Sequence, residues 1–335
     1  MRYLIVLIAM LWPLAAGAQD WEDRQRFTGA AGGATLRVLS STDTSVFAPL
    51  IEAFLKQQPG LDIEYFVTST ADLDRVFRAT PDAFDVVISS AMDLQFKLAN
   101  DGFAQRLDLQ DSPTWARWRQ TLFAFTTEPA AIVINRAAFA GFDLPATRQD
   151  LIAALRARPD TFQGKIATYD VRKSGLGYLI ATQDARTSET YWRLMEVMGG
   201  LNAQLYCCSG QMIDDLATGK IAVAYNVLAS YANARVDVAD QIEIILPADF
   251  PTTMMRTALV SKHTDQPAAA TAFLRHLISR RQDAQAQGIF PLPAFDTGPD
   301  DVSQSIIALE PALLTYLDRL KRAKFIRAWE DAVIQ

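Results

Sequence analysis

The pattern of apolar and polar positions repeats one arrangement along the chain: an apolar strand, a hydroxyl-rich turn and an amphipathic helix. Residues 85–107 show this arrangement most clearly. The β-branched run 86–88 is typical of a strand buried on both faces. Ser89 and Ser90 follow directly, and apolar side chains then recur at helical spacing until Asn100. This stretch therefore predicts a strand, a Ser-Ser turn and a helix.

Similar hydroxyl turns follow the apolar runs 36–39, 61–67 and 165–169, and another precedes a helix near residue 209. In an open α/β sheet the carboxyl ends of the strands face the ligand crevice, and helices that begin there present unpaired N–H groups. One such serine or threonine simply caps its helix, but the repetition favours a shared hydroxyl-lined rim. We predict ligand contacts from the residues at these turns: Ser40, Ser41, Thr42, Ser69, Ser89, Ser90, Ser174, Gly175 and Ser209.

Two interruptions by proline predict that the chain crosses between two lobes. The apolar stretch 122–135 is broken at Pro129, and a second break lies at residues 247–251. Proline in the middle of a strand removes a ladder hydrogen bond, so a long strand is divided there. We predict a first lobe from residues 35–126 and 248–335, including a C-terminal helix, and a second lobe from residues 127–247. The polar, glycine-rich residues 19–34 are expected to form a loose leader.

The first 18 residues have the features of an export signal. Arg2 precedes an apolar stretch at residues 4–16, and Ala16-Gly17-Ala18 matches a signal-peptidase site. The apolar stretch is too short to span a membrane. We therefore expect cleavage after Ala18 and a mature protein in the periplasm.

Charge and motif content exclude several classes of function. The formal net charge of −6 and the lack of a basic stripe argue against nucleic-acid binding. No G-x-S-x-G, S-x-x-K, H-E-x-x-H or phosphate-loop motif is present. An enzyme would have to rely on Cys207, Cys208 or carboxylates such as Glu128 and Asp170. We therefore predict a binding protein without catalytic residues or cofactor.

The two cysteines of the chain, Cys207 and Cys208, are adjacent. Export favours their oxidation, but neighbouring cysteines can bridge only in a strained vicinal ring. A vicinal disulfide and a free dithiol both remain open. Two thiolates alone are too few ligands for a typical metal site.

In these features the sequence resembles the periplasmic solute-binding proteins of ABC transporters, type II fold, and most closely their iron(III)-type branch. The segments that carry the resemblance are residues 36–42, 85–91, 164–168 and 224–226. The resemblance implies an α/β fold of two lobes, with mixed, mostly parallel sheets, joined by a two-strand hinge. Ligand binding would close the cleft by hinge motion. The implied partners are a small-molecule ligand and an inner-membrane ABC permease, with a sensor kinase as the alternative, and the protein is expected to be a monomer.

The resemblance leaves the ligand open. Ferric-binding relatives carry adjacent metal-binding tyrosines in the second lobe, whereas here Tyr225 is followed by Asn226 and Tyr231 stands apart. A hard Fe³⁺ ion needs several phenolate and carboxylate oxygens, so no metal site is predicted, and Tyr225 with Tyr231 would bind metal only under the ferric alternative. The branch also includes binders of phosphorylated sugars and organic anions.

We predict a small polar or anionic organic solute, including phosphorylated ones. Residues expected to complete the binding wall are Glu128, Tyr169, Tyr225 and Asn226. A cation would strengthen the binding of an anion. The candidates for this role are Arg172, Lys173 and Arg256.

Overall fold

Thirteen strands are present in the part of the chain that the computed structural model describes, which is residues 21–110, 112–280, 291–293 and 306–335. The predicted signal sequence lies outside the described residues. The strands are β1 (Asp23–Phe27), β2 (Ala34–Ser40), β3 (Leu61–Val67), β4 (Val86–Ser89), β5 (Arg117–Trp118), β6 (Leu122–Ala124), β7 (Glu128–Asn135), β8 (Ile166–Tyr169), β9 (Gln204–Tyr206), β10 (Val223–Leu228), β11 (Ile242–Ile245), β12 (Thr253–Met254) and β13 (Thr257–Val260).

Eleven α-helices connect or cover these strands within the same described residues. They are α1 (Thr44–Gln57), α2 (Asp72–Ala79), α3 (Met92–Asn100), α4 (Arg148–Ala157), α5 (Pro159–Phe162), α6 (Gly175–Thr187), α7 (Thr190–Gly200), α8 (Ser209–Ala217), α9 (Ala229–Ala234), α10 (Pro267–Arg280) and α11 (Arg319–Val333). Short 3₁₀ turns occupy Pro81–Ala83, Thr114–Ala116, Arg136–Phe139, Val236–Val238 and Pro311–Leu317.

The strands form two mixed sheets, which confirms the predicted fold class. One has the order β1-β3-β2-β4-β13-β6-β5, and we call the elements built on it the first lobe. The other has the order β11-β7-β10-β8-β9, with β12 also paired to β7, and it organises the second lobe. Of the eleven strand pairs in the described residues, four are parallel: β2 with β3 and β4, and β8 with β9 and β10. The other seven are antiparallel, so the prediction of mostly parallel sheets is wrong, chiefly because β7 and β13, which follow the two crossings, pair antiparallel with all their neighbours. At the parallel pairs the strand ends followed by hydroxyl turns point the same way.

Local sequence explains the central strands. Val86, Val87 and Ile88 of β4 are fully buried between β2 and β13. β-branched side chains are stiff and pack well on a pleated surface that is covered on both faces. The strand and the helix α3 predicted for residues 85–107 are both present, with the serines between them.

The chain crosses between the lobes twice. The first crossing leads from β6 to β7 through residues 125–127, close to the predicted break. The second was expected at residues 247–251, but β12 still pairs with β7 of the second lobe. The chain therefore crosses at residues 255–256, immediately before β13.

Two parts of the chain depart from the expected organisation. The segment predicted to be a loose leader contains β1, which pairs antiparallel with β3 at the edge of the first sheet. Four of its five residues are exposed, so its polar composition suits an edge strand. The C-terminal helix α11 belongs to the second lobe instead of the first, because Phe325 and Trp329 lie in that lobe's core. A Cβ atom at Gly199 of α7 would lie 2.2 Å from the carbonyl oxygen of Ala332, so the two helices touch through backbone.

Candidate functional site

A cavity lies between the lobes, where the ends of β2, β3 and β4 face the ends of β8 and β9. Its volume is about 40 Å³, and one enclosed water needs roughly 10–15 Å³. The cavity thus has room for a few waters in this conformation. The residues that line it are Glu22, Ser41, Asp43, Thr68, Ser69, Thr70, Ser90, Tyr169, Ser174, Leu176, Cys207, Cys208, Ser209, Leu228 and Tyr231.

The structure brings about half of the predicted site residues to this cavity. Those that line it are Ser41, Ser69, Ser90, Tyr169, Ser174 and Ser209. Those that do not line it are Ser40, Thr42, Ser89, Glu128, Gly175, Tyr225 and Asn226. Hydroxyls from five turns therefore border the cavity, but they differ in how much hydrogen-bonding capacity remains for a ligand.

Hydroxyls of the first lobe meet because their strands are parallel neighbours. The Oγ atoms of Ser41, after β2, and Ser89, at the end of β4, are 3.1 Å apart, and the amide of Ser90 donates to the Ser41 Oγ over 3.4 Å. Ser69 instead accepts from the Asp72 amide at the start of α2 and donates to the Asp72 carboxylate. Capping therefore uses much of the hydrogen-bonding capacity of Ser69, whereas Ser41 and Ser90 border the cavity as a connected pair.

The second lobe contributes two further turns. The hydroxyls of Tyr169 and Ser209 are 2.5 Å apart across the ends of β8 and α8. Ser174 caps α6 by accepting from the amide of Gly177 over 3.1 Å. Burial raises the pKa of Tyr169, so its phenol stays protonated.

Contacts between the lobes show that the cleft is closed. The Oγ1 atom of Thr70, after β3, accepts hydrogen bonds from the amides of Gly175 (2.9 Å) and Leu176 (3.2 Å) at the start of α6. The amide of Asp43 donates to the hydroxyl of Tyr231 over 3.4 Å. Gly175 thus serves the contact between lobes: a Cβ atom there would lie 2.8 Å from the Thr70 carbonyl oxygen.

Glu128 and Arg256 pair with each other behind the cavity. Both side chains are fully buried. The guanidinium donates to both carboxylate oxygens of Glu128 over 2.9 Å and to the Oγ1 atom of Thr42 over 2.6 Å. Thr126 and Ser230 complete the hydrogen bonds of the carboxylate. Glu128, Thr42 and Arg256 were predicted to face a ligand, but they join the two crossing strands to the first turn of the first lobe.

A second buried network holds Tyr225 and Asn226. The hydroxyl of Tyr225 lies 2.6 Å from the Nε atom of Arg148 and donates to Asp184 over 2.7 Å. The side-chain amide of Asn226 also donates to Asp184. Asn226 has a positive φ of 66° at a bulge of β10, which turns it away from regular pairing. Tyr225 is thus separated from Tyr231, and the pair expected under the ferric alternative is not assembled.

The charged residues of the lining are carboxylates. Glu22 and Asp43 line the cavity, and no lysine or arginine does so among the described residues. Loss of solvent raises the pKa of both carboxyls, although the charge of Arg256 opposes the effect at Asp43. Of the three cations proposed from the sequence, Arg172 pairs with Asp170 and Arg256 with Glu128, and Lys173 is exposed away from the lining.

Several lining residues were missed in the sequence. Glu22 lies in the segment taken for a loose leader, and no pattern marked it. Thr70 belongs to the hydroxyl cluster after β3 and could have been included with Ser69. Cys207 and Cys208 form a vicinal disulfide between β9 and α8, which resolves the question left open by their adjacency.

Two α/β lobes closed over a polar cavity define a receptor of the periplasmic-binding-protein type II fold. The sequence profile of bacterial extracellular solute-binding proteins matches residues 36–290, and the chain belongs to that family. No curated protein sequence matches the chain. None of the helices in the described residues combines the length and apolar composition needed to cross a lipid bilayer.

Solved structures agree with this assignment. The chain is 30% identical to the substrate-binding protein of an ABC transporter from Agrobacterium tumefaciens, with a TM-score of 0.87 over 93% of this chain and 98% of that one. The periplasmic binding protein AfuA from Actinobacillus pleuropneumoniae, with fructose-6-phosphate bound, shares the fold at 14% identity (TM-score 0.71; 90% and 98% covered). Iron-bound HitA from Pseudomonas aeruginosa does so at 13% identity (TM-score 0.64; 89% and 99% covered). The resemblance inferred from the sequence is confirmed for family and fold.

Proposed function

We propose that the protein is the periplasmic receptor of an ABC importer and captures a compact polar organic solute between its lobes without altering it. The observation that carries the proposal is a cavity lined by both lobes and closed by the bonds from Thr70 to the start of α6. The closed form would be the species that docks on the permease. A sensor kinase would read the same closed form, so transport is favoured here by the ABC-transporter relative at 30% identity.

Affinity in such a site depends on closure. Micromolar binding requires about 8 kcal/mol, and each net hydrogen bond supplies about 1 kcal/mol. The hydroxyls of Ser41 and Ser90 and a few backbone amides therefore supply too little binding free energy by themselves. Closing the lobes removes water and strengthens each polar contact, which supports capture by hinge closure.

The lining gives little support to the anionic solute expected from the sequence. The α6 amides that would bind a phosphate are already bonded to Thr70. At the start of α8, the Oδ2 atom of Asp43 lies 3.5 Å from the position of a Cβ at Gly210, so a carboxylate already occupies that helix terminus.

Ferric ion is the second candidate, because Glu22, Asp43, Tyr169 and Tyr231 line one cavity. Carboxylate and phenolate oxygens are ligands that suit a hard cation. The raised pKa of both tyrosines opposes this, since the free protein would have to release two phenolic protons. Titration with ferric citrate separates the candidates: a tyrosinate–iron absorption band in the visible region is expected only for the ferric receptor.

A thermal-unfolding screen tests the proposed function. The panel contains erythritol, glucose, glucose 6-phosphate, succinate, choline, ethanolamine, putrescine and ferric citrate. A solute present at 100 times its Kd stabilises the folded protein by about 2.7 kcal/mol, which raises Tm by several degrees. We expect at least one organic solute to produce this shift, and the Ser90→Ala variant to show a smaller one. A flat response to the whole panel would contradict the proposal.

A further inference from the structure

The two walls of the cavity differ in chemistry. The first lobe supplies two carboxylates, Glu22 and Asp43, together with hydroxyls from the turns after β2, β3 and β4. The second lobe supplies Leu176, Leu228 and the Cys207–Cys208 disulfide, which carries no S–H donor. Its four hydroxyl residues in the lining already take part in hydrogen bonds within the protein: Tyr169, Ser174, Ser209 and Tyr231. A solute that satisfies both walls has a polar, charged side and a carbon side.

The two carboxylates lack a cation of their own. Within the described part of the chain, neither side chain of Glu22 or Asp43 forms an ion pair or accepts a hydrogen bond. Arg256 is the cation whose charge acts on Asp43, but its guanidinium is bound on two sides by Glu128. Glu22 is exposed as a residue, yet loss of solvent around its carboxyl and the charge of Asp43 both raise its pKa. A positive charge placed between the two carboxyls would relieve this repulsion.

Aromatic rings strengthen the same preference. The hydroxyls of Tyr169 and Tyr231 are already engaged by Ser209 and by the amide of Asp43. The part of each tyrosine left for a solute is therefore its ring. Ring faces attract ammonium groups within about 6 Å, and the attraction grows when water is excluded.

We infer that the cavity takes a compact organic cation, a primary or quaternary ammonium compound, with its charge toward Glu22 and Asp43 and its carbon atoms toward the disulfide, Leu176 and Leu228. The inference rests on the proposed function and names the class of its solute. It differs from the sequence-based expectation of an anionic solute, because none of the three cations proposed for an anion lines the cavity.

The test compares ligands that differ in charge alone. Choline and its uncharged carbon isostere 3,3-dimethylbutan-1-ol are titrated into the purified protein by calorimetry, with ethanolamine, putrescine and glycerol 3-phosphate measured alongside. At least one of the three cations is expected to bind, and choline is expected to bind at least tenfold more tightly than its isostere. Equal binding of choline and the isostere, or binding of glycerol 3-phosphate but of no cation, would overturn the inference.

Substitutions of the two carboxylates test which side chains contact the charge of the solute. Asp43→Asn removes the negative charge with little change in size, and the Asp43 side chain makes no capping hydrogen bond that would be lost, so the protein should fold normally. It is expected to weaken binding of the cation about tenfold, and Glu22→Gln several-fold. Asp160→Asn, an exposed carboxylate at the start of α5, should leave the affinity unchanged.

The outcomes distinguish failure of this inference from failure of the proposed receptor function. Binding of erythritol, glucose or succinate without any cation would overturn the inference and leave the receptor function standing. Failure of every organic solute in both panels would overturn the receptor function and the inference with it. Cation binding that is unaffected by Asp43→Asn and Glu22→Gln would show a different site and would overturn the inference.

Discussion

The Arg256→Met variant is expected to lose about 3–5 kcal/mol of unfolding free energy, measured by urea denaturation. Arg256 and Glu128 are both fully buried and share two hydrogen bonds of 2.9 Å. Methionine fills much of the space, but it leaves a buried carboxylate without its counter-charge. Thr126 and Ser230 still donate to that carboxylate, and two neutral hydroxyls do not replace a guanidinium.

Two controls show whether the effect comes from the unpaired charge. The double variant Arg256→Met, Glu128→Gln removes both charges and should recover a large part of the lost free energy. Arg75→Met breaks an ion pair with Asp72 whose side chains are 65% and 49% exposed, and it should change stability by about 0.5 kcal/mol or less. If Arg256→Met destabilises the protein no more than Arg75→Met, the pair is not a structural element of the crossing strands.

The Glu128–Arg256 pair also explains why both residues were predicted from the sequence to contact a ligand. Glu128 and Arg256 lie 128 residues apart, each next to a predicted crossing between lobes. From the sequence alone, a charged residue near a predicted cleft is interpreted as a ligand contact, because its partner in the fold is unknown. The pairing depends on which strands lie side by side, and this follows from the topology of the whole chain.

Features that depend on local chemistry were predictable. Apolar runs of β-branched residues marked the buried strands, and hydroxyls after them marked the turns at the cleft. Ser41 and Ser90 reach the same cavity because β2 and β4 are parallel neighbours. Parallel pairing brings the ends of successive strands to one edge of a sheet, so the repetition along the chain becomes proximity in space.

Features that depend on a distant partner were not predictable. The amphipathic pattern of α11 shows that one face is buried, but not that Trp329 packs in the second lobe. Tyr225 and Asn226 were expected at the carboxyl end of a buried strand, but β10 continues to Leu228, so they lie in its middle. A bulge and the Arg148–Asp184 pair direct them into the interior. Glu22 reaches the cavity only because β1 pairs with β3.

The Gly175→Ala variant is expected to weaken solute binding by roughly 10- to 100-fold while leaving the protein folded. The new Cβ atom would lie 2.8 Å from the carbonyl oxygen and 3.0 Å from the carbonyl carbon of Thr70. These are backbone atoms, so the clash is relieved by moving the lobes apart. Overpacking of this kind costs about 1–3 kcal/mol, and each 1.4 kcal/mol lost from the closed form is a tenfold loss of affinity. Alanine is acceptable at the first position of α6, which keeps the lobe itself stable.

Calorimetry with the solute that raises Tm, together with small-angle X-ray scattering, distinguishes this effect from unfolding. The wild-type protein should become more compact when solute is added, whereas Gly175→Ala should retain a larger radius of gyration at the same concentration. Gly200→Ala is the matched control, because a Cβ atom there meets nothing closer than 4.0 Å. Thr70→Val removes two hydrogen bonds between the lobes. It should weaken solute binding by about 1–2 kcal/mol, which is more than Gly200→Ala and less than Gly175→Ala. Wild-type affinity and compaction in Gly175→Ala would mean that solute binding does not require the lobe contact at Thr70, because closure is the only step that this substitution obstructs.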